Sequence, residues 1–262
     1  MTTVRMTVER PGRPAVLFVD FLRTPHNVWK ACRRHDTRHG VLLADVAADL
    51  SRGEVGADDT LRTVAHRYAE RLADLPEPPA ALVTYCTATP AALAIAAACA
   101  AVTGRALPVV AVEPAWVTPE LIAEEYGKLR AAAGLTGPSA FDGDWASPGL
   151  LAWAREELTG GLERMTADLG MGPAECRSIA GDLCAQYLGW LRYLLLAVTV
   201  PAWHGLDRIR SVVLSAGSEV WLPGIDGAIP VAHLDARFEV MCAAPGLPDL
   251  VFRAVDAVLA DA

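Results

Sequence analysis

At 262 residues, with 53% hydrophobic and 21% charged side chains, the chain has material for a large core and reads as a globular protein rather than a disordered or fibrous one. A net charge of −8 and a pI near 5.2 leave no basic face for phosphates, so no nucleic-acid partner is expected. Met1 to Arg13 carries three arginines and no apolar run of signal-peptide length, and the six cysteines show neither a disulfide framework nor metal-type spacing. Both features predict a cytoplasmic protein without metal or cofactor.

Apolar runs bounded by turn residues recur along the chain. They are Ala15 to Val19, Val41 to Ala44, Ala81 to Val83, Val109 to Val112 and Ser211 to Ser215. Such runs suit strands buried on both faces of a parallel sheet. Helical patterns lie between them. Thr60 to Ala73 places Leu61, Val64, Ala65, Tyr68 and Leu72 on one face, while Pro90 to Thr103 is apolar all round and reads as a central, buried helix. From Thr118 to about Ala202 only helices are legible, roughly Pro119 to Ala133, Gly149 to Leu169 and Pro173 to Val198. A short strand, Ile229 to His233, and a closing helix, Pro248 to Leu259, complete the chain. The apolar stretch Tyr187 to Trp203 is interrupted by Arg192 and short for a span, so no membrane segment is expected. The predicted class is α/β with a mostly parallel central sheet. Residues 1–117 and 206–262 form its core, and 118–205 form a helical lid placed where it could cover an active site.

Chemistry is expected at one corner. Thr84-Tyr85-Cys86-Thr87-Ala88 sits where the strand Ala80 to Val83 runs straight into the alanine-rich helix, which puts a thiol at the junction. Cys32, Cys99, Cys176 and Cys184 fall in helical stretches and read as small hydrophobes, and Cys242 follows the last strand. Glu113 ends the next strand. In a parallel sheet both strand ends open on the same edge, where ligand and catalytic groups of open α/β sheets gather. Of the histidines, His233 ends the last strand, His204 follows the lid, His26 follows the first strand's loop, His35 and His39 read as parts of a solvated connection, and His66 lies on an exposed helix face.

The succession of strand, Tyr85-Cys86-Thr87-Ala88 elbow, alanine-rich helix, strand, Glu113-Pro114, helical lid and final strand resembles the α/β-hydrolase superfamily. Within it, the chain is similar to the thioesterase branch that releases acyl chains from polyketide and peptide synthetases. The cysteine elbow resembles the subgroup of tetramate-forming Dieckmann cyclases. Glu113 follows Cys86 by 27 positions, which is similar to that branch's nucleophile-to-acid interval. The pattern departs from the family at three places. Thr84 and Ala88 stand where glycines are usual, the first strand's loop Asp20 to Pro25 lacks the family's glycines, and Arg237 occupies the place expected for the catalytic histidine.

The resemblance implies a nucleophilic Cys86, an acidic Glu113 and an oxyanion hole from the backbone N–H groups of Leu22 and Thr87. His233, four residues before Arg237, is the leading substitute for the base. Arg237 cannot accept a proton and would serve only to stabilise a thiolate. The substrate implied is a polyketide or peptide thioester on an acyl or peptidyl carrier protein, released by cyclisation or hydrolysis. The alternative is a hydrolase-like protein without a triad that binds an acyl chain or a synthase partner without turnover.

Overall fold

Six short strands pair as a wholly parallel sheet in the computed structural model, which describes residues 13–21, 27–33, 38–53, 59–137, 149–201, 204–219 and 229–261. The strands are β1 (Ala15–Val19), β2 (Gly40–Ala44), β3 (Ala81–Tyr85), β4 (Val109–Val112), β5 (Ile209–Leu214) and β6 (Val231–His233), in the spatial order β2-β1-β3-β4-β5-β6. Every residue of β1 to β4 is buried, as their unbroken apolar character requires of strands covered on both faces. The edge strand β6 is largely exposed. The sequence reading stopped its strands close to these limits.

The described residues form eight helices: α1 (Val28–Cys32), α2 (Val46–Ser51), α3 (Leu61–Ala73), α4 (Thr89–Thr103), α5 (Pro119–Ala132), α6 (Leu150–Ala167), α7 (Pro173–Ala197) and α8 (Gly246–Ala260). Thr60 caps α3 through a reciprocal pair with Thr63, and Gly104, at φ 71°, ends α4 in the left-handed conformation that a side chain resists. One sheet face packs α1 and α8 over Val16, Phe18, Val83, Tyr85, Val112 and Val213. α4 packs on β1, β3 and β4 and against α3.

Among the described residues, one helical segment, Cys86–Thr103, is long and apolar enough to cross a membrane, with a mean hydropathy of 1.7. Half of it is buried inside the protein, where α4 serves as a core helix. Two expectations need correction. His39 is buried, not solvated. Its Nε2 lies 3.3 Å from Asp256 Oδ1 and its ring stacks on Phe252, because α8 covers the start of β2. The chain also forms α2 where no helix was read, since six residues are too few to show a helical period.

The chain divides into two units. One comprises residues 1–46, 57–116 and 200–262 and holds the sheet, and the other comprises residues 47–56 and 117–199. In the helical unit, Trp190 Nε1 donates to Glu125 (2.9 Å) and stacks on Tyr193, while Trp153 tilts against Tyr126. The Tyr126 hydroxyl donates to Glu157, which also takes the Arg130 Nε at 3.1 Å. These aromatic side chains pack among the helices of this unit.

Two glycines in this unit mark close backbone approaches. A Cβ at Gly189 would lie 2.5 Å from the Ala47 carbonyl oxygen, and one at Gly161 would lie 2.5 Å from that of Ala133. Gly189→Ala should therefore destabilise the protein by ~1–3 kcal/mol despite alanine's better helix propensity, as read by urea denaturation. An unchanged midpoint would mean that α2 and α7 can separate freely.

Candidate active site at the carboxyl edge of the sheet

The register of the central strands sets the geometry of the rim. β3 and β4 pair with Tyr85 opposite Val112, so the residues that leave the sheet next, Cys86 and Glu113, emerge side by side. Both have positive φ, 49° and 46°, and no other non-glycine residue does among the described residues. Left-handed backbone costs an L-residue roughly 1–2 kcal/mol, so the neighbouring structure must hold both turns. It does so through main-chain and side-chain bonds. Ala115 N–H and the Thr89 hydroxyl both donate to the Cys86 carbonyl (3.2 and 2.7 Å), and Glu113 N–H donates to the Val213 carbonyl (2.9 Å). Cys86 opens a single 3-10 turn, Cys86–Ala88, that leads directly into α4.

The Glu113 carboxylate accepts the backbone N–H of Ser215, just past the end of β5. Its charge is thus anchored on the rim between β4 and β5. Burial pushes the Cys86 thiol above its ordinary range, and the carboxylates of Glu113 and Asp20 push in the same direction. The backbone N–H and hydroxyl of Thr87 donate toward the sulfur and pull the other way. The thiol is therefore held mainly as S–H.

His233 is exposed at the end of the edge strand β6, opposite Leu214. Among the described residues no hydrogen bond or ion pair links it to Cys86 or Glu113. Arg237 is also exposed. It precedes a 3-10 turn, Phe238–Ala243, and no such link ties it to Cys86 among the described residues. Thr87 adjoins the thiol, while Leu22, His26 and His35 lie outside the described residues. His204 is exposed after the helical unit, and His66 is exposed on α3 beside Glu70. Among the described residues no group of three or more His, Cys, Asp or Glu is placed to hold a metal ion.

A group absent from the expected site stands beside it. Asp20 directly follows β1, is 1% exposed, and lies opposite Tyr85 because Val19 pairs with Thr84. Its Oδ1 accepts Phe21 N–H (2.7 Å) and its Oδ2 accepts Trp29 N–H (3.0 Å) from α1, a helix that the Asn27 side chain caps. Burial raises its pKa to about 7 in spite of these donors, and Asp45 adds to the rise. The buried Tyr85 hydroxyl and the half-buried Cys242 thiol lie nearby and are shifted upward by the same desolvation, Cys242 to about 11. The sequence places this carboxylate directly after an apolar strand, but its burial and its bond from Trp29 N–H depend on contacts that the strand alone does not reveal. A cleft of about 380 Å³ opens next to this cluster between α1 and the 3-10 turn, lined by Asn27, Lys30, Ala31, Val240 and Cys242. A larger one, about 790 Å³, lies at the opposite edge, where the strands begin, around Ala80, Pro108 and Arg210.

Comparison with solved structures assigns the architecture. The thioesterase domain NocB, in covalent complex with a fluorophosphonate nocardicin G analogue, is 18% identical and superposes with a TM-score of 0.50 over 93% of this chain and 95% of its own. The enol-lactonase from Burkholderia xenovorans LB400 is 13% identical, with a TM-score of 0.56 over 96% and 95%. The Vlm2 thioesterase domain bound with a dodecadepsipeptide is 13% identical, with a TM-score of 0.51 over 92% and 91%. The chain has the α/β-hydrolase fold. No protein-family model matches the sequence, and no curated protein matches it. In the α/β-hydrolase frame, Cys86 stands at the strand-turn-helix junction and Glu113 at the end of the following strand.

The raised Asp20 pKa has a consequence for stability. Between its unfolded value near 3.8 and about 7 the folded protein holds a proton that the unfolded chain releases. Stability from this group is therefore full below pH 4 and is lost as the pH rises through 7. The melting temperature should fall between pH 5 and 8, and Asp20→Asn should flatten that slope. An equal slope in both proteins would place the titration elsewhere.

Proposed function

We propose that Cys86 is the nucleophile of a thioesterase-like enzyme that accepts an acyl group from a carrier-protein thioester. The observation that carries this reading is the positive φ of Cys86 at the junction of β3 and α4, a strained turn that lifts its side chain off the sheet. The sulfur attacks the thioester carbonyl and the carrier thiol leaves, so that a thioester is exchanged for a thioester at little cost in bond energy. The backbone N–H of Thr87 supplies one oxyanion donor. Release follows by attack of a carbon or nitrogen within the acyl chain, a Dieckmann or related cyclisation, or by water.

Support for a polyketide or peptide substrate comes from the fold neighbours, since NocB and Vlm2 are thioesterase domains captured with a nocardicin G analogue and a dodecadepsipeptide. The exposed apolar side chains Phe238 and Val240, beside the cleft at Cys242, offer surface suited to an acyl chain. We place the enzyme in the cytoplasm, where its six free thiols stay reduced.

A second reading rests on one observation, the exposure of His233 and its lack of any bond to Cys86 or Glu113 among the described residues. In that reading the protein binds an acyl chain or synthase partner without turnover. Incubation with an acyl thioester of N-acetylcysteamine separates the two. Intact-protein mass spectrometry should show one acyl adduct, located at Cys86 by peptide mapping. Cys86→Ala should lower its formation by on the order of 10³-fold or more. An adduct that survives the substitution, or binding with no adduct in the wild type, would favour the non-catalytic reading.

A further inference from the structure

We propose that the Asp20 carboxylate is the general base that takes the Cys86 proton as the sulfur attacks, an inference that rests on Cys86 being the nucleophile. Three observations lead to it. The β1–β3 register sets Asp20 opposite Tyr85, one residue before Cys86, on strands about 4.8 Å apart. Asp20 acts electrostatically on the thiols of both Cys86 and Cys242, so its charge reaches the reacting atom. Burial also brings it to about pH 7, where a base is half ionised and most effective.

The surroundings favour a proton-transfer role. The titratable groups that face Asp20 are Asp45 beyond β2, Tyr85 and Cys86 at the end of β3, and Cys242 on the 3-10 turn; α1 presents the backbone N–H groups of Val28 and Trp29. Among the described residues no lysine, arginine or histidine pairs with it. A purely structural carboxylate in such a place would be expected to carry a cationic partner, since burying an unpaired charge is costly. The two oxygens offer about four lone-pair sites. Phe21 and Trp29 take two of them and Val28 bears on a third, which leaves a site for a proton.

The step balances without any further reactant. The Cys86 S–H bond breaks, its electron pair forms the S–C bond to the thioester carbonyl, and the proton passes to Asp20 directly or through one water. When the tetrahedral intermediate collapses, the C–S bond to the carrier breaks and the departing thiolate takes the proton back from Asp20. The residue returns to its ionised form with the acyl group on Cys86. This arrangement also accounts for a thiol kept as S–H, because a base on hand makes a standing thiolate unnecessary.

Two rates measured from pH 5 to 9 in the wild type and in Asp20→Asn test the assignment. They are acylation of Cys86 by an acyl N-acetylcysteamine thioester and its alkylation by iodoacetamide. Wild-type acylation should rise through an apparent pKa near 7. In Asp20→Asn that limb should vanish and the rate at pH 8 fall by ~10²–10⁴-fold. Alkylation at pH 8 should hold steady or rise, since the substitution removes a negative charge that favours S–H. Unchanged acylation, or both rates falling together as a merely structural role predicts, would overturn the assignment. No acylation even in the wild type would instead remove the nucleophile reading, and this one with it. Should Asp20→Asn fail to fold, a carbon-13 titration of aspartate carboxyls in the wild type decides. One resonance should titrate near pH 7 and move when Cys86 is alkylated, and its absence would refute the proposal.

Discussion

The pairing of β3 with β4 governs this rim. Opposing Tyr85 to Val112 means that both strands release the chain at the same level, and both do so through a left-handed residue. Two such turns, costing roughly 1–2 kcal/mol each, persist only because β5 and the start of α4 tie them down. Glu113 N–H reaches the Val213 carbonyl, the Glu113 carboxylate takes the Ser215 N–H, and Ala115 N–H returns to the Cys86 carbonyl. A one-residue slip in the pairing would carry the thiol and the carboxylate to different levels and to opposite faces.

Desolvation is the shared electrostatic condition of that edge. Asp20, Tyr85, Cys86 and Cys242 are all displaced toward their neutral forms, with burial as the first cause in each case. Proton transfer between a carboxylate and a thiol in such surroundings moves charge over a short distance without creating any. A thiolate made beforehand would have to be stabilised against the Glu113 and Asp20 charges, with only the Thr87 donors to help. The rim suits chemistry in which proton and electron pair move together.

Much of this was legible in the residues. Unbroken runs such as Val109 to Val112 identify doubly covered strands, and the order of strands and helices carries the α/β-hydrolase fold. Cys86 was visible because a thiol at a strand-to-helix corner is unlike the helical Cys32, Cys99, Cys176 and Cys184, all of which are buried. α2, six residues long, is hidden by its length. Asp20 was hidden for another reason: its setting depends on Trp29 N–H and on the β1–β3 register, contacts between distant residues that no local pattern reports. The buried His39 was missed likewise, since Asp256 and Phe252 approach it from the far end of the chain.

The missing glycines of the elbow can now be given a physical meaning. Only Cys86 itself needs left-handed backbone, whereas Thr84 lies within β3 and Ala88 has φ −74°. Glycine at those two places would therefore serve proximity, not backbone conformation. Ala88 meets the requirement with a fully buried methyl group. Thr84 fits inside the sheet at 1% exposure, and its cost is chemical: the hydroxyl is buried without a hydrogen-bond partner among the described residues, a loss of about 1–3 kcal/mol. The elbow is thus compatible with small β-branched flanks wherever strand pairing, rather than glycine, secures the turn.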